Sequence, residues 1–213
     1  MSRYSRVEHQ PNVIIVDDDE LVRDALAGLL RSIGLQTKQF PSVPEFLKWK
    51  LPDRPSCLVL DVRLPGVSGL DFQSELNKTN AQIPIVFMTG HGDIPMSVRA
   101  MKGGAVDFLS KPFRDQDMLD AVQTALENDR KRRQSASGSL QLKTVFDALT
   151  SREQEIMGFV AAGLMNKQIA AEIGVSEVTV KFHRGNMMRK MGARSVAELV
   201  RMADTLGVRQ SAK

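Results

Sequence analysis

Val13-Ile14-Ile15-Val16-Asp17-Asp18-Asp19 decides the fold. Its four apolar residues form an unbroken run. Such a run suits a strand covered on both faces by helices, because a half-solvated strand alternates apolar with polar positions. Working outward, similar short runs recur at 57–60, 83–88 and 105–109, with a weaker one at 36–40. Helical patterns separate them at 21–33, 43–50, 70–76 and 96–101, and another follows at 117–125. In the first of these, Leu21, Ala25, Leu29 and Ile33 fall one turn apart. Five strand-helix repeats within about 120 residues predict an α/β domain on a doubly wound, five-stranded parallel sheet.

The pattern breaks at 127–139, where a charge run from Glu127 to Arg133 gives way to Ser135, Ser137, Gly138 and Ser139. This stretch reads as a domain linker, with the basic run as the frayed, solvated end of the fifth helix. From Leu149 onward the pattern is purely helical. Thr150 with Glu153 and Ser195 with Glu198 have capping-box spacing, and Asn166 and Ser176 suit two further N-caps. Four short helices are expected, at 151–162, 167–173, 177–191 and 196–206.

The chain has 213 residues, 42% hydrophobic and 25% charged, an ordinary globular composition for one or two domains. No apolar run approaches the roughly 20 residues of a membrane span. The first ten residues lack the apolar stretch of a secretory signal, and the single Cys57 has no partner for an internal disulfide, so a cytoplasmic location is expected. The net charge of +4 is unevenly placed. Lys and Arg number 14 against 16 acids in 1–126, four against two in 127–139, and eleven against seven in 140–213. The basic C-terminal part suits a polyanionic partner.

Asp17, Asp18 and Asp19 follow the first strand and Asp61 follows the third. Ligands of open parallel sheets bind beyond the carboxyl ends of the strands, so these acids converge on one edge. Converging carboxylates repel, and a hard divalent cation relieves them, Mg²⁺ or Mn²⁺. Thr89 and Lys111, at the ends of the fourth and fifth strands, supply a hydroxyl and an ammonium suited to phosphoryl oxygens.

Asp17-Asp18, Asp61 within Leu60-Asp61-Val62-Arg63-Leu64-Pro65-Gly66, Thr89 and Lys111-Pro112 resemble the characteristic set of two-component receiver domains, in order and over residues 12–126. The resemblance implies a flavodoxin-like receiver with Asp61 as phosphoacceptor. It implies a metal held by Asp17, Asp18, Asp61 and the backbone carbonyl of Arg63, with Thr89 and Lys111 on the phosphoryl oxygens. It also implies that Phe108 is a switch aromatic that turns as Thr89 moves, and that Lys111-Pro112 is a cis peptide. Asp19 reads instead as an exposed acid at a helix N-terminus. His91 and Arg63 flank the pocket, where they would tune access and phosphoryl lifetime. A haloacid-dehalogenase-like phosphatase uses similar groups but needs a second Asp two residues after its nucleophile, where this chain has Arg63.

In the helical part, Ile169-Ala170-Ala171-Glu172-Ile173-Gly174-Val175-Ser176 has the composition of a helix-turn-helix: small residues where helices approach, Gly for a positive φ, Ser to start the next helix. On that next helix Val180, Met187 and Met191 share one face, and Val178, Lys181, Phe182, Gly185 and Arg189 share the opposite one. Lys181, Arg184, Arg189, Lys190 and Arg194 meet no acid between Val178 and Ala197. The stretch from Leu149 through Gly163 and Asn166 to Arg184 resembles the LuxR-type helix-turn-helix, and the whole chain the FixJ/NarL class of response regulators. The domains are then a receiver at 11–126, a linker at 127–147 that includes the end of the fifth helix, and a DNA-binding domain at 148–208.

DNA contacts are expected from Lys167, Thr179, Lys181, Phe182, Arg184, Asn186, Arg189 and Lys190. Phe182 suits either a thymine methyl or partial packing, and His183 reads as structural. Val196, Leu199, Val200 and Ala203 give the last helix an apolar face suited either to core or to pairing with a twin. The expected function is a transcription regulator that takes a phosphoryl group from a sensor histidine kinase, forms a homodimer and binds double-stranded promoter DNA to act on RNA polymerase. No membrane contact or enzymatic turnover is expected beyond its own phosphorylation and dephosphorylation. The alternative is a receiver that signals through protein contacts, with the helical domain as a partner-binding module.

Overall fold

The computed structural model describes residues 10–79, 82–90 and 93–208. The chain divides into two compact units between Arg133 and Gln134.

The first unit is a five-stranded, all-parallel sheet in the order β2-β1-β3-β4-β5. The strands are β1 (Asn12–Val16), β2 (Gln36–Phe40), β3 (Ser56–Asp61), β4 (Ile85–Thr89) and β5 (Asp107–Ser110). Helices alternate with them as α1 (Glu20–Ser32), α2 (Val43–Lys48), α3 (Gly69–Lys78), α4 (Ile94–Lys102) and α5 (Asp115–Asp147), whose residues from Gln134 onward belong to the second unit.

Continuous hydrophobicity in the central strands serves two cores. Ile14, Val16, Leu58, Leu60 and Phe87 pack with Val43, Phe46, Leu70, Phe72 and Ala100 of α2, α3 and α4. The intervening Val13, Ile15, Cys57, Val59, Val86 and Met88 pack with Leu26 and Leu30 of α1 and Met118 and Val122 of α5. Alternate side chains of one strand enter opposite layers, so every position of β1, β3 and β4 is buried. β4 begins two residues later than the apolar run. Pro84 has no N–H to donate, and its carbonyl instead accepts from Leu58.

The stretch expected as a frayed end and linker is helical, since α5 continues to Asp147. Its basic run is held in place by Asp129, which is only 1% exposed. Asp129 accepts from the Ser56 N–H at 3.0 Å, from Arg132 at 2.6 and 3.0 Å, and from Arg133 at 2.6 Å. Sequence periodicity does not register a single inward acid among four cations.

The second unit contains α6 (Ser151–Ala161), α7 (Asn166–Ile173), α8 (Glu177–Met191) and α9 (Val196–Leu206). The Thr150–Glu153 capping box forms, and Ser176 and Ser195 accept from the backbone of Thr179 and Glu198. Asn166 departs from its expected role as a cap. It lies inside α7, where its side-chain oxygen accepts from Arg184, and the N-cap is Met165, whose N–H donates to Gln168. Gly174 ends α7 at φ +67°, as the turn requires. The core joins Ile156, Met157, Ile169, Val180, Met187, Leu199 and Ala203. Among the described residues, no helix is long and apolar enough to cross a membrane.

Candidate functional site

Two sites emerge, one in each unit. The first follows from strand register. Val16 of β1 pairs with Leu60 of β3, so the chain leaves these neighbouring strands with Asp17 and Asp61 side by side. Thr89 ends β4 and pairs with Ser110, and Lys111 comes next. The order turns in opposite directions from β1 and β3, which is where an open parallel sheet forms its crevice.

Asp17 is 1% exposed, and its Oδ1 accepts from the Asp19 N–H at 2.8 Å. Lys111 Nζ donates to Asp17 Oδ2 at 2.7 Å and to Asp61 Oδ2 at 3.3 Å. Asp61 Oδ1 accepts from the Arg63 N–H at 3.1 Å. Burial pushes the Asp61 carboxyl above its ordinary value; the Arg63 N–H and Lys111 oppose this, and the charge of Asp17 adds to it. Burial alone would lower Lys111, yet its hydrogen bond and charge interaction with Asp17, then with Asp61, carry it above its ordinary value.

Carboxylate oxygens of Asp17, Asp18 and Asp61 lie within 4.8 Å of one another. Three hard oxygen donors at that spacing fit a divalent cation. Thr89 is fully buried and its carbonyl accepts from the Lys111 N–H at 2.7 Å. Phe108 is half-buried, with its ring centroid 6.4 Å from that of Phe87. The Lys111-Pro112 peptide is cis. Asp19 stands outside the cluster as the exposed N-cap of α1, accepting from Leu21 and Val22. Arg63 is exposed at the pocket's edge, and His91 lies outside the described residues.

Sequence reading missed Gly69 in this pocket. A Cβ there would stand 2.5 Å from the Asp61 carbonyl oxygen and 3.1 Å from Val62 Cα, so any other residue displaces the end of the strand that carries Asp61. A glycine opening α3 just after the Asp61 loop was the available sign.

The second site is a face of α8. Val180, Met187 and Met191 are buried, while Lys181, Phe182, Gly185 and Arg189 are exposed on the other side, as is Lys167 on α7. Thr179 is half-buried, its hydroxyl 2.8 Å from that of Ser176. Arg184 is half-buried against Asn166 at 2.7 Å, and Asn186 accepts from Arg189 at 2.9 Å. His183 is half-buried, its ring edge-on to Phe182 with centroids 5.7 Å apart.

Lys190 departs from the expected basic face. Its ammonium lies 2.7 Å from Oε2 of Glu153, a nearly fully buried carboxylate that also accepts from the Thr150 N–H. The ion pair compensates a charge inside the unit, so the exposed Lys190 has a structural partner that Lys181 lacks among the described contacts. The apolar face of α9 is divided: Leu199 and Ala203 are fully buried in the core, whereas Val196 remains 42% exposed.

A family model described as the response regulator receiver domain matches residues 13–123, and one described as bacterial regulatory proteins, luxR family, matches residues 147–203. Nodulation protein W of Bradyrhizobium diazoefficiens is 60% identical over 196 residues, which is 92% of this chain and 86% of that protein. Transcriptional regulatory protein FixJ of Azorhizobium caulinodans is 42% identical over 92% of this chain and 93% of its own. The solved structure of response regulator StyR is similar with a TM-score of 0.80 at 49% identity, covering 92% of this chain and 98% of that one.

Proposed function

Because the chain belongs to the response-regulator family, with a receiver domain and a LuxR-family DNA-binding domain, we propose that phosphorylation of Asp61 controls its binding to promoter DNA. One observation carries the reading: the Asp61 carboxylate ends a central strand within reach of two further carboxylates and the Lys111 ammonium.

The donor is a phosphohistidine on a sensor kinase. An Asp61 oxygen forms the new P–O bond as the P–N bond breaks; its electron pair returns to the imidazole, which takes up a proton. Asp17, Asp18, Asp61 and the Arg63 carbonyl would hold Mg²⁺ or Mn²⁺, which supplies charge neutralisation to the transferring phosphoryl group. Lys111 balances the remaining oxygens by moving from Asp17 toward the phosphoryl group. Thr89 turns to the same group and Phe108 takes up the space released, remodelling the surface of α4 and β5. The chain turns over no external substrate.

That remodelled surface pairs receivers, and the homodimer presents two α8 helices to a two-fold related site in promoter DNA, where RNA polymerase is engaged. The setting is the cytoplasm. Lys167, Lys181, Arg184 and Arg189 supply the phosphate and base-edge contacts, with Thr179 and Asn186 beside them. Sedimentation and duplex binding with and without beryllofluoride test the mechanism. Dimerisation and tighter binding are expected, and unchanged mass with unchanged affinity would sink it. Salt-independent capture of a protein, with no duplex bound, would favour the alternative of a partner-binding module.

A further inference from the structure

Apart from the edge-on contact of Phe182 with His183, nothing inside the unit accounts for two features of the exposed face of α8. Val178 and Phe182, one turn apart, are 78% and 65% exposed on a helix whose exposed charges are mostly basic. Gly185 continues the same line: at 100° per residue, positions 178, 182, 185 and 189 lie within about 60° of one another. Glycine inside a helix is destabilising relative to alanine. Here its φ is not in the positive range, and nothing lies within 4 Å of where a Cβ would stand. Neither a turn nor packing asks for a glycine at 185, so the reason lies outside the protein.

We propose that Val178, Phe182 and Gly185 form a thymine-reading track: the two apolar side chains rest on C5-methyl groups, and the bare glycine stands where the groove wall comes closest to the helix. The inference rests on α8 being the DNA-reading helix. Exposed Lys181 and Arg189 flank the track and Lys167 stands on α7, so its occupant is a polyanion and not an apolar protein surface. The thymine methyl is the apolar group that the major groove displays. Arg189, at the end of the line, is placed for the adjoining phosphates.

The test uses the full chain with beryllofluoride and Mg²⁺, and duplexes it selects from a random pool. These are then resynthesised with uracil replacing thymine at one position at a time. At positions beneath α8 each lost methyl weakens binding about three- to fourfold. Phe182→Ala no longer distinguishes thymine from uracil at one of them. Gly185→Ala raises the melting temperature of the helical unit by roughly 4–8 °C and weakens duplex binding about tenfold. Equal affinity for thymine and uracil at every position would overturn the proposal, as would a Gly185→Ala chain that binds as tightly as the parent. A Phe182→Ala chain that keeps thymine discrimination but loses self-association would assign the face to a second copy. No salt-dependent binding of any duplex would overturn the DNA reading, and this inference with it.

Discussion

Asp129 and Ser56 stand 73 positions apart, yet the Ser56 N–H at the start of β3 donates to Asp129 Oδ2 at 3.0 Å. The same carboxylate holds Arg132 and Arg133, and Arg133 also reaches Asp53. One buried acid therefore ties the continuation of α5 to the amino end of the sheet. Asp129→Ala leaves the Ser56 N–H and the Arg132 guanidinium without their acceptor and Arg133 with Asp53 alone. Its expected cost is about 3 kcal/mol, read by denaturant unfolding, with faster amide exchange along α5 beyond residue 128. Parental exchange there would show that α5 is held by other contacts.

Lys190 and Lys181 share a helix but should fail differently. Lys181→Ala removes an exposed cation and should lower the salt slope of duplex binding by about one, with little change in stability. Lys190→Ala strands the Glu153 carboxylate and should cost about 1 kcal/mol of stability, with the salt slope unchanged. Thermal melts and salt titrations of both variants separate the roles.

The Glu153–Lys190 pair also predicts acid sensitivity. The Lys190 hydrogen bond holds the Glu153 carboxyl below its ordinary value of 4.5 against the opposing effect of burial, with Thr150 assisting. A lowered folded-state value supplies stability that is complete above the ordinary carboxylate range and is lost as pH falls through and below it. The parent should lose melting temperature over that window more steeply than Glu153→Gln. Parallel pH profiles would remove Glu153 from the account.

At the strand-end pocket, Asp61→Asn should abolish labelling by a small phosphodonor in Mg²⁺. It should also raise the melting temperature in chelator at neutral pH, because burial disfavours the ionised carboxylate that it replaces. Acid-stable labelling of this variant would move the phosphoacceptor elsewhere. Asp18→Ala should lose labelling in part and regain it as Mg²⁺ is raised.

The two halves of the α9 face give a fifth comparison. Leu199 is fully buried, so Leu199→Ala should cost about 2–5 kcal/mol. Val196 is half out of the core, so Val196→Ala should leave stability within about 0.5 kcal/mol and weaken dimerisation if the exposed part of α9 pairs. Equal destabilisation by the two would place both in the core.

The sheet and the helix-turn-helix were legible in the sequence because both rest on local, repeated cues. Four consecutive apolar residues ending in acids mark a strand buried on two faces, and Gly174 followed by Ser176 marks a turn whatever surrounds it. The strand-end set of Asp17, Asp61, Thr89 and Lys111 was legible for a related reason: parallel strands deliver the residue after each run to the same edge. What tertiary structure alone decided were partnerships across long separations. Lys190 looks identical to Lys181 in sequence until folding brings α6 against α8 and sets Glu153 beneath it. Asp129 is one acid in a basic run until β3 offers its first N–H. Gly69 is an ordinary helix-start glycine until the Asp61 carbonyl fills the space where its Cβ would be. A linear pattern records which face a residue occupies, and only the packed chain determines what waits on that face.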